Sequence, residues 1–286
     1  MNGRLISFLV ILSLALLRPA FASGLDTEAG KGKKLLYVLN SSKAEFNTRS
    51  RQPPTPEQLA GAMERREDDE RHMAFLESLG FIVEESNDQT SVSRAEGMDL
   101  IVISESIRGQ ATMDRYRNVP IPVVVNDPDI FDDMGMTGRA IDVDFGTDTP
   151  VRYVDMINAP HPLSAGLRGV ISVFSAGNFE LNWGKPANGA TYIAHLHGYP
   201  DKWPIFAYER GATMHGDFVA PARRVGSYIF EGKFHELSPD GLALYSAMVR
   251  WAVTAPEPYV PARSGEFFEH PDIAPPRAGG NQGDGQ

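Results

Sequence analysis

The chain has 286 residues, a formal net charge of -10 at neutral pH and a pI near 5.2. An acidic chain lacks the concentrated basic surface that binds nucleic acid or an anionic membrane, so we expect neither partner. The sequence contains no cysteine, which excludes disulfides, a thiol nucleophile and a lipid anchor attached to an amino-terminal cysteine.

Residues 1–22 predict an export signal. Arg4 supplies an early positive charge, the run 5–17 is uncharged and apolar, and Ala20 and Ala22 are the small residues that a signal peptidase accepts. The apolar run is shorter than the ~20 residues that span a bilayer. We therefore expect cleavage near Ala22, a periplasmic or extracellular protein without stable membrane insertion, and a short linker over 23–32.

Residues 33–254 predict one α/β domain. The continuous apolar run 35–39 indicates a strand over 34–40 that is buried on both faces. A helix should begin at Pro56, because Thr55 and Gln58 form a capping box, and it should end before Gly80. The charged block 64–71 of this helix is interpreted as a solvated face. Three further strands are predicted at 81–83, 99–103 and 121–125, with a short helical stretch around 112–117. This alternation is typical of a parallel sheet.

The second half of the domain predicts more strands and a closing helix. A strand is expected at 152–156, a β-hairpin over 192–208, and another strand at 224–230. The last helix should begin at Ser238 and Pro239 and end near Thr254. The composition over 255–286 is rich in Pro and Gly and predicts a flexible tail.

Several short motifs follow one another in this half. They are a His-Pro-Leu-Ser-Ala-Gly-Leu segment at 161–167, a Pro-apolar-Gly segment at 204–211, an Arg-Val-Gly-Ser-Tyr strand at 224–228, His235, and Arg-Trp-Ala at 250–252. In this order they resemble ThuA-like proteins of the class I glutamine amidotransferase-like superfamily. The resemblance implies a flavodoxin-like, doubly wound, mostly parallel sheet with helices on both faces, to which the hairpin is added.

The fourth predicted strand departs from the glutamine amidotransferase pattern. It continues into Asn126, Asp127 and Pro128, where those enzymes carry a catalytic cysteine. An amide cannot replace a thiolate nucleophile, so glutaminase chemistry is excluded. ThuA-like proteins commonly lack this cysteine, are associated with sugar use and also occur as non-catalytic modules. The resemblance therefore implies a fold rather than a reaction.

Polar residues follow two of the predicted strands. Ser104 and Glu105 come after the third strand, and Asn126 and Asp127 come after the fourth. Ligands of open α/β sheets bind at the carboxyl ends of the strands, so these four residues are candidates for ligand contact. A serine nucleophile at 104 or 106 would lack the Gly-x-Ser-x-Gly turn that exposes the hydroxyl.

Two histidines are candidates for catalysis. If His161 or His235 approaches the same edge, an imidazole beside Glu105 would form an acid–base pair. The alternative for His161 is a purely structural role, in which its ring caps the turn between Pro160 and Pro162 by a hydrogen bond to the backbone.

Other polar and aromatic residues allow two interpretations each. Trp183 and Trp203 lie in loops, where their rings can stack on sugars or pack against the sheet. His195 and His197 point to the same face of a strand and, with His215 and Glu209, can ligate a metal or be unrelated imidazoles. No complete metal motif is present, so we predict neither a metal nor a cofactor.

Two hypotheses for function remain open. The first is an exported ThuA-like domain, non-catalytic or of unassigned activity, that binds a small polar ligand such as a carbohydrate. The second is a secreted hydrolase or sugar-modifying enzyme that uses Glu105, Asp127, His161 and His235, with or without a metal. The sequence does not predict the oligomeric state.

Overall fold

A computed structural model of the protein describes residues 30–40 and 54–254. The predicted export signal, most of the linker and the predicted tail lie outside the described residues. No described helix has both the length and the apolar character that crossing a membrane requires.

The described chain forms eleven strands and three α-helices, together with short 3-10 turns. The helices are α1 (Pro56–Ser78), α2 (Gly109–Thr112) and α3 (Pro239–Val253). The strands are β1 (Lys34–Leu39), β2 (Ile82–Asn87), β3 (Leu100–Ile103), β4 (Val123–Val125), β5 (Phe145–Val151), β6 (Tyr153–Met156), β7 (Gly169–Ser172), β8 (Phe179–Gly184), β9 (Thr191–Leu196), β10 (Ile205–Tyr208) and β11 (Arg224–Gly226).

Nine strands form one sheet in the order β2-β1-β3-β4-β11-β10-β9-β6-β7. Strands β2, β1, β3, β4 and β11 are parallel to one another, whereas β10, β9, β6 and β7 continue the sheet through antiparallel pairs. The predicted parallel sheet is thus confirmed for β2, β1, β3, β4 and β11. The predicted hairpin is formed by β9 and β10. The two-stranded sheet β5–β8 was not predicted.

The parallel strands are buried on both faces, as their apolar runs predict. In β1, Leu35 and Tyr37 belong to one core, and Leu36 and Val38 belong to the other. The first core is covered by α1 and α3. The second is covered by loops, 3-10 turns and α2, which has only four residues. The fold is therefore α/β with a mixed sheet, consistent with a flavodoxin-like fold, and its two long helices share one face.

Local signals set the ends of the first helix. The Thr55 hydroxyl accepts from the Gln58 N–H, and the Gln58 side chain accepts from the Thr55 N–H, at 3.2 and 3.0 Å. The helix ends at Ser78, and Gly80 follows with φ of 93°, a conformation that glycine adopts at little cost. The prediction of a solvated charged block is wrong for Asp68 and Asp69, which are buried.

Candidate functional site

A buried polar network links α1 to the carboxyl ends of β1 and β3. Asp69 accepts hydrogen bonds from Ser104 Oγ at 2.6 Å, Ser106 Oγ at 2.7 Å and the Tyr37 hydroxyl at 2.8 Å. Burial raises the pKa of Asp69, and these three donors oppose the rise. Ser104 is therefore engaged in holding Asp69, and its hydroxyl is buried.

Asp68, the neighbour of Asp69, holds the loop after β11. One Asp68 oxygen accepts from the Phe234 N–H at 2.9 Å, and the other accepts from the His235 N–H at 3.1 Å. The His235 Nδ1 atom lies 2.8 Å from Asp68 Oδ1. His235 is thus at the predicted edge of the sheet, but its carboxylate partners are Asp68 and, at 3.3 Å from Nε2, Glu236, and not Glu105.

Glu105 lies at the end of β3 in an acidic environment. Its side chain is half-buried, and its Oε2 atom is buried without a hydrogen-bond partner among the described residues. Burial raises the pKa of Glu105 well above its usual range, and the nearby charges of Glu231, Asp127 and Asp129 raise it further. This rise in pKa favours the neutral form of the Glu105 carboxyl group.

Asp127 closes the loop after β4. Its Oδ1 atom accepts from the Asp129 N–H at 2.8 Å and so caps the 3-10 turn Pro128–Ile130. Burial raises the pKa of Asp127 well above its usual range, although this backbone hydrogen bond opposes the rise. Glu231, in the loop after β11, also has a pKa raised by burial, while Arg65 lowers it from 2.9 Å away. We call Glu105, Asp127, Asp129 and Glu231 the acidic cluster.

Asn126 lies behind the acidic cluster and is fully buried. Its Nδ2 atom donates to the Tyr245 hydroxyl of α3 at 3.4 Å, and its backbone oxygen accepts from Asn182 Nδ2 at 2.8 Å. The same Asn182 Nδ2 atom also donates to the Ile229 oxygen, at 2.7 Å. Asn126 therefore joins β4, β8 and α3, while its Oδ1 atom is buried without a hydrogen-bond partner among the described residues. Its contact with a ligand stays a prediction.

The prediction that His161 reaches the same edge as Glu105 is wrong. His161 follows β6, which is antiparallel to β9 and hence runs opposite to β3 and β4. The ring lies 5.7 Å from that of Trp251, near the amino end of β11. Its Nδ1 atom accepts from the Leu163 N–H at 3.2 Å, which is the predicted capping role. Burial, and then Arg223, lower the pKa of His161 to about 4.

The two tryptophans differ in accessibility. Trp183 is only 1% exposed, and the Lys202 ammonium lies 4.4 Å above its ring. Trp183 is too buried to stack on a sugar, so of the two interpretations only packing within the protein fits its position. Trp203 is half-buried, with its ring 4.6 Å from Tyr192 and 5.7 Å from His195. It remains accessible for ligand contact, but on the antiparallel half of the sheet.

The four residues that were candidates for metal ligation do not assemble. Glu209 is paired with Arg223 at 2.7 Å, and His215 is exposed on a separate turn. Within residues 30–40 and 54–254, no three His, Asp or Glu side chains are arranged to hold an ion. His195 and His197 do share one partner, Asp155.

A cavity of about 240 Å³ opens at the opposite, amino edge of the parallel strands. Pro122, Arg210, Arg223 and Thr254 contribute to its lining. The Arg223 guanidinium is already bound by Glu209 and by the backbone oxygens of Trp251 and Thr254. The charge of Arg223 is therefore already paired within the protein and is not free to bind a ligand in this cavity.

Sequence reasoning missed Asp68, Asp69 and Glu231. Glu231 follows the strand predicted at 224–230, so the rule that selected Glu105 and Asp127 would have found it. Asp68 and Asp69 gave no such signal, because acidic residues in a charged stretch of helix are usually solvated.

Two solved structures are similar to this chain. One similar solved structure, from Bacteroides uniformis, is described as ThuA-like; it is 11% identical, the match covers 79% of this chain and 92% of that chain, and the TM-score is 0.49. A ThuA-like protein is thus among the structural neighbours. Another neighbour, from Thermoplasma acidophilum, is described as belonging to a GMP synthase, with 11% identity, coverage of 76% and 94%, and a TM-score of 0.44.

No protein-family model and no curated protein sequence matches the chain.

Proposed function

We propose that the protein is an exported, ThuA-like binding domain for a small, neutral, polyhydroxylated ligand such as a carbohydrate. The Oε2 atom of Glu105 supports this proposal, because it is buried without a hydrogen-bond partner among the described residues. Such an atom costs about 1–3 kcal/mol. A ligand hydroxyl beside it would remove that cost, and the position at the carboxyl edge of a parallel sheet is where such ligands bind.

The charge of the acidic cluster favours a neutral ligand. Asp127, Asp129 and Glu231 raise the pKa of Glu105 through their negative charges, and the same charges would repel a phosphate or carboxylate. A neutral carboxyl group donates one hydrogen bond and accepts others. A sugar hydroxyl can satisfy both roles, which agrees with the sugar use that the sequence resemblance implies.

Ligand binding can be measured by calorimetry and thermal shift with a panel of neutral sugars and polyols. Glu105→Gln keeps the shape of the side chain but removes its acidic proton, and Glu105→Ala removes the group. We expect Glu105→Ala to weaken binding about tenfold, the equivalent of one lost hydrogen bond. The matched control is Glu77→Gln, which alters an exposed carboxylate of α1.

Two results would contradict the proposal. One is a panel in which no neutral polyol binds or stabilises the protein while acidic sugars do. The other is equal affinity of the wild type and Glu105→Ala for a ligand that binds.

The export of the protein is part of the same proposal. It is supported by the uncharged apolar run 5–17 and the small residues Ala20 and Ala22. Amino-terminal sequencing of the protein from a secreting host should find a chain beginning near Ser23. A chain that still begins at Met1 would refute export through this signal.

A second candidate is a secreted hydrolase with Glu105 as proton donor. It is favoured by one observation: burial raises the pKa of Glu105, which favours the form of this carboxyl group that can donate a proton at the edge where a ligand would bind. Turnover of chromogenic glycosides separates the candidates, because a binding domain releases no product. If product forms, the rate should fall in Glu105→Gln and be unaffected in Glu77→Gln.

A further inference from the structure

The antiparallel half of the sheet carries a second polar cluster, apart from the acidic cluster. His195 lies on β9 directly opposite Asp155 of β6. The His197 N–H donates to the Tyr153 oxygen at 3.0 Å, so the pairing of β9 with β6 continues past the end of the strand. Residues two apart on a strand share a face, as do directly opposed residues of neighbouring strands. Both imidazoles and the carboxylate therefore occupy one face.

One carboxylate lies beside both rings, and it is hydrogen-bonded to that of His197. His197 Nδ1 lies 2.8 Å from Asp155 Oδ1. His195 Nδ1 lies 3.0 Å from the Leu196 oxygen and 3.5 Å from Asp155 Oδ2. All three neighbours are acceptors, so each Nδ1 carries the proton and each neutral ring has its lone pair on Nε2.

The Nε2 atoms are available for a ligand. The hydrogen bonds of these two rings within the described residues involve Nδ1 only, and the side chains are 18% and 42% exposed. Because both Nδ1 atoms are held on the Asp155 side, both Nε2 atoms are directed away from Asp155. The His195 ring is further fixed by the edge of Trp203, and the His197 ring by Tyr153.

We propose that His195 and His197 bind one divalent transition-metal ion of the Cu²⁺ or Zn²⁺ class through their Nε2 atoms. Imidazole nitrogen is a preferred ligand of these ions. A carboxylate on the second ring nitrogen is the usual partner of a metal-bound histidine, because it fixes the ring and raises the basicity of the ligand. The described residues provide no third protein ligand, so water completes the coordination and the ion is accessible to solvent.

The test uses the untagged, metal-free mature protein with Cu²⁺ or Zn²⁺ alone. We expect one ion per chain by calorimetry, and a Cu²⁺ electron paramagnetic resonance spectrum with two coupled nitrogens. His195→Gln and His197→Gln should each leave one nitrogen and abolish tight binding. Asp155→Asn should weaken binding about 10–100-fold while two nitrogens remain in the spectrum.

The control is His215→Gln, which removes an exposed imidazole elsewhere and should leave affinity and spectrum unchanged. Circular dichroism of each variant establishes that it is folded. Equal affinity of the wild type and the folded His195→Gln, His197→Gln double variant would overturn the proposal. A wild-type spectrum without two coupled nitrogens would overturn it independently of any variant.

Discussion

The buried imidazole of His72 makes the stability of this protein sensitive to acid. His72 is 3% exposed, its ring stacks on Phe234 at 4.1 Å, and its Nε2 atom has no partner among the described residues. The Tyr37 hydroxyl donates to Asp69, so His72 Nδ1 donates to Tyr37, at 2.9 Å. Burial lowers the pKa of His72 to about 3. The folded protein therefore keeps this ring neutral.

The sign of the effect follows from proton uptake. The unfolded chain binds a proton at His72 near its ordinary pKa of about 6.5, whereas the folded chain binds it only near 3. Between these values the unfolded state holds one proton more, so stability falls as the pH falls, by about 1.4 kcal/mol per pH unit. From about pH 7 to about pH 5 the loss due to His72 is about 2 kcal/mol.

Urea unfolding at several pH values measures this loss. His72→Gln keeps a polar contact for Tyr37, and His72→Phe keeps the stacking on Phe234; neither residue titrates. Each variant should lose about 2 kcal/mol less than the wild type between about pH 7 and pH 5. His215→Gln, at an exposed position, controls for the removal of one histidine. Equal losses in the wild type and a folded His72 variant would refute the reasoning.

Two further predictions concern packing. Asn182→Leu should lower the free energy of unfolding by about 3 kcal/mol in urea titrations, because two backbone oxygens at fully buried positions lose their donors; an unchanged midpoint would contradict this. Gly226→Ala should lower the melting temperature, since its Cβ would lie 2.3 Å from the Phe206 ring. The control is Gly61→Ala on α1, where the new Cβ meets only the end of a flexible arginine side chain. Its melting temperature should rise or stay unchanged.

Elements with complete local signals were predictable from the sequence. The capping box of α1 and the Ser238 cap of α3 lie within four residues of the helices they begin. The run at 35–39 is apolar on both faces because both faces of β1 are covered. Strands β5 and β8 have no such run: β5 reads Phe-Gly-Thr-Asp-Thr-Pro-Val, and its pairing partner lies beyond two other strands.

The candidate site was predictable only where strand direction was known. Glu105 and Asp127 follow parallel strands, so they were placed at one edge correctly. His161 was misplaced because nothing in the residues 152–156 shows that β6 runs in the opposite direction. The burial of Asp68 depends on donors at positions 234 and 235, and no pattern near residue 68 contains that information.

Strand β11 is the last strand of the described residues, yet it lies in the middle of the sheet, between β4 and β10. Before it pairs, β4 and β10 each present an open edge. The two halves of the sheet can form separately, but they join only when Arg224 pairs with Val123 on one side and with Tyr208 on the other. The first of these pairings closes a very long loop, and such non-local contacts are slow to form. The sheet is therefore complete only when its central strand is in place, and a chain interrupted before residue 224 would have two exposed edges on which other chains can add.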